Sequence, residues 1–207
     1  MTYMTKNFWI IFLLSISSCA QISYSDAIPL LRTALIGAQD IEVDSSFIES
    51  REYSFAKVRL GRSAIAIMTL STINKDNIYK WVNASGESIY TFNGKIIKSE
   101  GIVYDMEIFN YDGFNMPDLK NLELITNSYD MMLLNPRGFV SQLSTIKYDE
   151  SIIGESLIRY TETVSSDGFK WNFKNVYYVD VDTNRVVKSE QFIHPKYPKV
   201  EISYYYK

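Results

Sequence analysis

The sequence predicts a mainly β fold, in which a strongly curved antiparallel sheet forms a half-barrel or a sandwich with one N-terminal helix packed on it. Two observations predict this class. The 207 residues include 16 Tyr and 11 Phe, and aromatic and β-branched residues favour strands. Residues 79–101 also contain three strand-like runs separated by two tight turns. Three antiparallel strands in succession form a meander, which implies a larger sheet around it.

The two turns of this meander carry its clearest signals. Asn83 and Gly86 belong to the first turn, which follows a run containing Trp81. Asn93-Gly94 forms the second turn, and both of its residues tolerate the positive φ that a two-residue hairpin requires. The predicted strands of the meander are residues 79–82, 87–92 and 95–99.

A helix is predicted at residues 26–37, ahead of the sheet. Ser25 or Asp26 can cap its first turn, where Pro29 is also well placed, and Gly37 is a suitable stop. Apolar residues recur along it at helical spacing. Because Arg32 is its only basic residue, we expect the apolar face to pack on the sheet and not on a membrane surface.

The remaining strands are predicted from alternation and composition. Residues 53–60 alternate between two faces, as a half-buried strand does. Residues 63–73 are nearly all apolar and predict a central strand that is buried on both faces. Residues 121–134 fit either a helix or a strand, and the sequence leaves that choice open. Strand composition continues in residues 102–109, 139–148, 156–164, 169–181, 186–194 and 200–206.

The composition excludes several classes of function. Lys and Arg total 21 against 24 Asp and Glu, so the chain lacks the basic character of a nucleic-acid-binding protein. It contains one Cys and one His. A single Cys cannot form a disulfide within the chain or a thiolate metal cluster. We therefore expect no nucleic-acid partner, no metal site and no cofactor.

The first residues have the parts of a secretory signal peptide. Lys6 precedes an apolar run that extends from Phe8 to Ile16, and the small residues Ser17 and Ser18 follow it. This order of charge, apolar segment and small residues is typical of signal peptides. The apolar run is shorter than the roughly 20 residues that a membrane-spanning helix needs.

Cys19, the single cysteine, lies where a lipid anchor would be attached. The segment Ile16-Ser17-Ser18-Cys19 resembles a bacterial lipobox. That resemblance implies cleavage after Ser18 and acylation of Cys19 with chains such as palmitate, and two or more chains anchor a protein stably. Ala20 stands where an inner-membrane retention signal would have Asp. By this analogy the protein is anchored in the outer membrane, with its domain facing the periplasm.

The predicted organisation therefore has three parts. Residues 1–18 are the signal peptide, residues 19–25 are a lipidated tether, and residues 26–207 are a single β-rich domain. The six residues from Ala20 to Ser25 reach at most roughly 20 Å even when they are extended. We expect the domain to lie close to its membrane.

No catalytic arrangement stands out in the sequence. A Ser-His-Asp triad would have to use His194, which lies beside Pro195 near a predicted strand end, and no nucleophile-elbow motif is present. We interpret His194 as an exposed or structural residue. Paired carboxylates for glycan cleavage stay an alternative, although Glu100 and Asp105 are as well explained as solvated loop residues. We expect a protein that is not an enzyme.

Aromatic residues suggest one binding surface. Sugar rings pack on aromatic faces by apolar contact. The alternative is that these side chains are core residues and cross-strand pairs. The candidate ligand-facing residues are Trp81, Tyr90, Phe92, Trp171 and Phe173.

Several motifs, in this order along the chain, resemble the YjbF/GfcB lipoprotein family. Residues 53–62 (YSFAKVRLGR) are similar to the start of its domain. Residues 105–150 match poorly, and Asn184 stands where the family often has Gly in a turn, although Asn also tolerates positive φ. The central motif is carried by Trp81, Ser85-Gly86, Thr91, residues 93–97 and Gly101-Ile102, and the closing hairpin by residues 178–191 followed by Pro195.

The resemblance implies an outer-membrane lipoprotein that is encoded with capsule or exopolysaccharide secretion machinery. It implies a β-rich fold and no established catalytic residues. One expected function is non-enzymatic assistance to capsule or exopolysaccharide assembly or export, with other polysaccharide-secretion proteins as partners. The alternative is a periplasmic binding or carrier module that holds a lipid or glycan ligand in a β half-barrel. A filled interior without an apolar cavity would count against a lipid carrier.

Overall fold

The computed structural model describes residues 40–110, 125–134, 137–152, 156–166 and 170–207. These residues lie in the compact unit Asp40–Lys207. They form one short helix, α1 (Ser45–Glu49), and twelve strands. The strands are β1 (Phe55–Leu60), β2 (Ala66–Ile73), β3 (Ile78–Val82), β4 (Ser88–Phe92), β5 (Lys95–Glu100), β6 (Met106–Phe109), β7 (Ile125–Leu134), β8 (Arg137–Ile152), β9 (Leu157–Ser166), β10 (Phe173–Asp180), β11 (Arg185–Gln191) and β12 (Val200–Tyr205).

The strands form one closed antiparallel barrel. Each strand pairs with its neighbours in sequence, and β12 also pairs with β1, with Phe55 opposite Tyr205 and Leu60 opposite Val200. The half-barrel or sandwich expected from the sequence is therefore corrected to a closed barrel. Closure is favoured because pairing β1 with β12 satisfies the N–H and C=O groups that two open edges would leave unpaired.

The predicted meander is confirmed as β3, β4 and β5. Asn93 and Gly94 have φ angles of 48° and 77°, so the hairpin turn uses the left-handed conformations that its sequence indicates. In the other turn the side-chain oxygen of Asn83 accepts hydrogen bonds from the N–H groups of Ser85 and Glu87, each at 3.0 Å. Such a side-chain bond to the following backbone fixes a turn locally.

β2 differs from its prediction. The apolar run in residues 63–73 predicts a strand buried on both faces, yet within β2 only Met68 is buried, and Ile73 is 50% exposed. The reason is that the barrel wall is a single layer, so one face of every strand is turned away from the interior. The choice between helix and strand that the sequence leaves open for residues 121–134 is resolved as a strand in the described part, Ile125–Leu134, where β7 shows the alternating burial of a barrel wall.

The helix that packs on the barrel is a short piece. α1 begins after Asp44, whose carboxylate accepts a hydrogen bond from the Phe47 N–H at 2.7 Å. No residue of α1 is buried, and the Phe47 ring meets the edge of Phe55 at a centroid distance of 5.6 Å. The helix predicted at residues 26–37 lies outside the described residues. Within the described ranges, no helix is long and apolar enough to cross a membrane.

Side chains fill the interior of the barrel. Alternate residues of a strand point to the same face, and in β9 the inward face carries Tyr160, Glu162 and Val164, all of them buried. Aromatic side chains and a polar cluster therefore occupy space that a barrel of this size would otherwise leave for a ligand. Other large buried side chains include Trp81, Ile96, Met106, Met131, Ile146, Tyr177 and Ile202.

Candidate functional site

A buried carboxylate lies inside the barrel. Glu162 on β9 is 0% exposed, and Lys95 at the start of β5 places its Nζ 2.6 Å from Glu162 Oε1. Ser144 Oγ donates to the same oxygen at 2.7 Å. Asn175 Nδ2 and Tyr177 OH each donate to Oε2 at 2.8 Å. Because both oxygens receive hydrogen bonds from donors, the surroundings favour the ionised carboxylate.

The same surroundings shift the pKa values of the cluster. Burial raises the pKa of Glu162, but the charge of Lys95 and the hydrogen bonds from Lys95, Ser144 and Asn175 outweigh it and hold the pKa below its ordinary value. Burial lowers the pKa of Lys95, and the Glu162 carboxylate opposes that change. Burial also raises the pKa of Tyr177 well above its ordinary value, so the phenol keeps its proton and donates a hydrogen bond to the carboxylate.

This cluster has the properties of a structural ion pair. Lys95 Nζ also donates to Tyr129 OH at 2.9 Å, and the space beside these two residues holds no water-sized cavity. A substrate would have to open the barrel to reach the carboxylate. The composition of the sequence does not indicate this pair, because Lys and Glu are rarely buried. The available signal was the alternation in β9, which puts Glu162 on the same face as Tyr160 and Val164.

A polar pocket opens at one end of the barrel, where β3 and β11 begin and β4 and β12 end. We call it the polar mouth, and its volume is about 270 Å³. Both the Asn93-Gly94 turn and the turn that contains Asn184 contribute to its wall, so two motifs that the sequence singles out meet here. The lining residues are Tyr79, Thr91, Asn93, Gly94, Asn184, Arg185, Val186 and Tyr206.

The Asn93-Gly94 turn is fixed against the opposite wall of the barrel. A Cβ added at Gly94 would lie 2.5 Å from Val186 Cβ. The Gly94 carbonyl accepts hydrogen bonds from Gln191 Nε2 at 2.7 Å and from Tyr204 OH at 3.1 Å. β4 and β5 are not barrel neighbours of β11 and β12. These contacts therefore cross the barrel and hold the turn in one position.

Aromatic rings and a cation form the other wall of the polar mouth. The guanidinium carbon of Arg185 lies 5.3 Å from the ring centroid of Tyr206. Tyr206 OH donates to the Val186 carbonyl at 3.1 Å, and its ring meets Tyr79 edge-on at 6.1 Å. Arg185 is exposed, and it has no salt bridge to a carboxylate in the part of the chain that the structure describes.

An apolar pocket opens at the opposite end, where β1 ends and β2 begins. We call it the apolar mouth, and its volume is about 330 Å³. This volume lies at the lower end of the range of about 300 to 1,000 Å³ that ligand pockets have, so the pocket is suited to a short apolar group. Its lining is Val58, Leu60, Ser63, Ala64, Ala66, Met68, Asn83, Glu87, Ile89, Ile96, Ile102, Val103, Ile193, Tyr197 and Val200.

His194 is buried next to the apolar mouth. Its side chain is 1% exposed and its ring stacks on Tyr104 at a centroid distance of 4.7 Å. Nδ1 accepts a hydrogen bond from the Lys196 N–H at 3.0 Å, and Nε2 has no partner among the described residues. Burial, with a smaller contribution from the Lys196 charge, lowers the pKa of His194. The ring is therefore held in its neutral form.

The burial of His194 predicts a pH dependence of stability. Its folded-state pKa lies below the ordinary value of 6.5, so the unfolded chain binds a proton more readily than the folded one. The free energy of unfolding should therefore fall as pH drops below about 6.5, and this fall should end below the folded-state pKa. His194→Asn keeps an acceptor for the Lys196 N–H and removes the titration. Urea denaturation between about pH 7.5 and pH 5.5 should give a shallower profile for the variant, and parallel profiles would contradict the prediction.

The aromatic residues predicted to face a ligand occupy several separate environments. Trp81 is 0% exposed and lies inside the barrel, where its Nε1 donates to Thr91 Oγ1 at 2.9 Å. It stacks on Tyr79 at 6.1 Å and so supports a wall of the polar mouth from behind. Tyr90 is half-buried, and its OH donates to Glu100 at 2.7 Å.

The other candidates pack against the barrel. Phe92 is half-buried at the end of β4 and contacts the core. The Trp171 and Phe173 rings lie 4.3 Å apart, with Phe192 at 6.1 Å from Phe173. Ligand contact by Tyr90 and by these residues stays a prediction. The sequence did not single out Tyr79 and Tyr206, which line the polar mouth.

The acidic residues considered for glycan cleavage have local partners. Asp105 accepts hydrogen bonds from the Gly101 and Ile102 N–H groups at 2.9 and 3.2 Å, and so shapes the loop between β5 and β6. The hydrogen bonds from Tyr90 and Lys98 lower the pKa of Glu100. Both carboxylates therefore hold neighbouring residues in place.

The N-terminal predictions concern residues that the structure does not describe. Cys19, the signal peptide at residues 1–18 and the tether at residues 19–25 all lie outside the described ranges. Their processing and lipidation stay predictions, as does the start of the domain at residue 26.

The fold and its interior define a class, that of small all-β barrels whose interior is filled by side chains and whose ends carry shallow pockets. The chain belongs to the YjbF family, described as group 4 capsule polysaccharide lipoprotein GfcB, whose family model matches residues 29–204. The family resemblance found in the sequence is thereby confirmed. The chain is a capsule-associated lipoprotein with the membrane-anchored envelope location that such a lipoprotein has.

A solved structure supports the fold independently. The hypothetical lipoprotein YmcC from Escherichia coli (K12) superposes with a TM-score of 0.68 and 20% sequence identity, over 91% of this chain and 98% of that chain. At this identity the likeness shows the fold alone. A comparison with the curated proteins gives no match.

Proposed function

We propose that this lipoprotein assists the assembly or export of a capsule or exopolysaccharide without catalysing a reaction, anchored in the outer membrane with its barrel in the periplasm. The observation that carries the proposal is the family match over residues 29–204. The lipobox at Cys19 and the Ala residue after it support the anchor and its membrane. Its expected partners are the membrane and other polysaccharide-secretion proteins.

The structure of the interior favours an accessory role over a lipid carrier. Trp81, Tyr160 and Tyr177 are 0% exposed and occupy the inside of the barrel with the Lys95–Glu162 pair. A carrier of a whole acyl chain needs a long apolar cavity, whereas the apolar mouth holds about 330 Å³. The alternative function, a binding or carrier module, could also have a glycan as its ligand. The polar mouth is compatible with binding a saccharide.

The buried acidic group also supports a role without catalysis. Among the described carboxylates, Glu162 is the one most removed from water, and general acid–base chemistry requires a group within hydrogen-bond reach of a substrate. Here the groups within reach are Lys95, Ser144, Asn175 and Tyr177. Protein side chains therefore supply hydrogen bonds to both oxygens of the carboxylate.

Deletion of the gene in a capsule-producing strain tests the proposal. Surface polysaccharide should fall, and the wild-type gene should restore it. A gene with Cys19→Ala lacks the acylation site and should restore little polysaccharide. A gene with the conservative change Ala20→Ser keeps Cys19 and should restore the full amount. The measurement is the amount of polysaccharide on the cells and in the medium. Unchanged polysaccharide after deletion would overturn the proposal.

The membrane assignment is tested by moving the anchor. Ala20→Asp introduces the residue expected of an inner-membrane retention signal, so the protein should shift from the outer to the inner membrane fraction. Membrane fractionation and immunoblotting measure this directly. Wild-type protein found in the inner membrane fraction would overturn the outer-membrane part of the proposal alone.

A further inference from the structure

The polar mouth has the chemistry of a site for a carboxylated sugar. Its wall combines two Tyr rings, the side chains of Asn93 and Asn184 and the guanidinium of Arg185. Small-ligand sites typically combine aromatic or apolar surface with a few polar groups that fix orientation. We infer that the polar mouth binds one acidic monosaccharide unit, such as a uronic acid, of a glycan. This inference rests on the proposed function, which brings the protein into contact with a polysaccharide.

The charge of the polar mouth selects the ligand class. Arg185 is exposed and has no carboxylate partner in the described ranges of the chain. A guanidinium binds a carboxylate through two parallel hydrogen bonds, which gives orientation as well as attraction. The chain as a whole has a net charge of −3, so a cation without a salt bridge at a pocket wall is the feature that favours an anion there.

The rings of the polar mouth are held in place before a ligand arrives. Tyr206 OH is bonded to the Val186 carbonyl, and its ring stacks on Tyr204 at a centroid distance of 5.9 Å. Tyr79 stacks on Trp81 at 6.1 Å. Rings that are already fixed lose little conformational freedom on binding. They provide the flat apolar surfaces on which a sugar ring packs.

The backbone of the polar mouth is equally fixed. Asn93 and Asn184 line the pocket and have φ angles of 48° and 53°, so both residues occupy left-handed turn positions at its wall. The Gly94 carbonyl is held by Gln191 and Tyr204 across the barrel. An Asn side chain carries both a hydrogen-bond donor and an acceptor, as a sugar hydroxyl group does, so Asn residues on a fixed backbone are suited to binding sugar hydroxyl groups.

The size of the pocket limits how much of a glycan it takes. Its volume of about 270 Å³ lies just under the range of drug-sized pockets. The site is therefore suited to one ring of a polymer, with the rest of the chain in solvent. Binding of a single unit should be weak, and several lipoproteins on one membrane would strengthen it by multivalency.

A matched pair of sugars tests the inference. The full mature protein is titrated with methyl β-D-glucuronide or methyl α-D-galacturonide, and with the methyl glucoside and galactoside that lack only the carboxylate. NMR chemical shifts should change at Asn93, Arg185 and Tyr206 with at least one uronide. The matching neutral sugar should bind at least about tenfold more weakly. The shifts should shrink as salt is added, because salt screens the charge interaction.

Two variants make the test specific. Arg185→Gln should weaken uronide binding at least about tenfold. Lys188→Gln removes an exposed cation from the same strand, outside the lining of the mouth, and should bind as the wild type does. Circular dichroism shows whether both variants are folded. Absence of shifts with both uronides, equal binding of acidic and neutral sugars, or equal loss in the two variants would each overturn the inference.

The two proposals fail separately. If the gene deletion lowers surface polysaccharide while neither uronide binds, the proposed function stands and the sugar site is wrong. If a uronide binds at the polar mouth while the deletion leaves polysaccharide unchanged, the site stands and the assembly or export role is wrong. If a uronide binds and the deletion lowers surface polysaccharide, complementation with Arg185→Gln shows whether sugar binding is needed for the assembly or export role.

Discussion

Glu162→Gln is expected to lower the free energy of unfolding by about 3–5 kcal/mol, the cost of removing one partner from a buried ion pair. The substitution keeps the size of the side chain, so it leaves no cavity. It leaves Lys95 buried without its counter-charge, and it places a side-chain amide among the donors Ser144, Asn175 and Tyr177. Urea denaturation followed by circular dichroism measures the loss.

Two controls identify the origin of this loss. Lys199→Met breaks the partly exposed pair with Glu190, whose N–O distance is also 2.6 Å, and should cost less than about 1 kcal/mol. The double variant Lys95→Met/Glu162→Met should lose less stability than the sum of its two single variants, because no charge is left unpaired. A loss for Glu162→Gln as small as for Lys199→Met would contradict the prediction.

The Lys95–Glu162 pair also predicts how the free energy of unfolding depends on pH in acid. The folded-state pKa of Glu162 is lowered from 4.5, so its contribution is present above the unfolded value and is lost as pH falls through the folded-state pKa. The difference in stability between wild type and Glu162→Gln should therefore shrink as pH is lowered below about 4.5. If the difference in stability between wild type and Glu162→Gln stayed constant down to the pH of acid unfolding, the loss of stability would arise from packing and not from charge.

Gly94→Ala is expected to lower the free energy of unfolding by about 2–5 kcal/mol, because two costs add. Gly94 has a φ of 77°, which is strained for an L residue, and the new methyl group would lie 2.5 Å from Val186 Cβ. Relief of that contact would shift the turn and disturb the two hydrogen bonds that its carbonyl accepts across the barrel. Chemical denaturation measures the loss.

Gly86→Ala is the matched control for this prediction. Gly86 has a φ of 86°, but nothing lies within 4 Å of a Cβ added there. It should therefore show the backbone cost alone, about 1–3 kcal/mol. The difference between the two variants measures the clash with Val186. If the two variants were equally stable, the close packing of the turn on β11 would be refuted.

The local elements of the fold were predictable from the sequence. The Asn93-Gly94 turn and the alternation around it predict β3, β4 and β5, because hairpin geometry depends on neighbouring residues. Closure of the sheet was not predictable in this way. A half-barrel and a closed barrel have the same local patterns, and they differ in whether β1 meets β12, a pairing between residues far apart in the chain.

The interior of the barrel shows where composition misleads. The apolar run in residues 63–73 predicts a strand buried on both faces, but a single-layer wall leaves residues of β2 exposed. Conversely, Lys95 and Glu162 are charged residues that are buried. Their burial is tolerated because each charge is compensated by the opposite charge of the other. Burial of such a pair depends on tertiary position, which neither residue type indicates alone.

The candidate site was predictable in part. The Asn93-Gly94 and Asn184 turns were singled out from the sequence as turns, and the structure brings both to the polar mouth. Tyr79, Arg185 and Tyr206 join them only because β3 and β4 face β11 and β12 across the end of the barrel. Trp81, which the sequence proposed as a ligand contact, supports that wall from inside.

The pairing of β1 with β12 determines when the domain can complete its fold. Phe55 lies opposite Tyr205, so this seam joins segments about 150 residues apart. The other pairs among the described strands join strands that are neighbours in sequence. Local hairpins close quickly, whereas contacts of long sequence separation are slow to form. Until β12 arrives, two strand edges stay unpaired and prone to association with other chains. A chain that crosses a membrane before it folds would need protection from such association until β12 pairs with β1. That pairing removes both exposed edges at once.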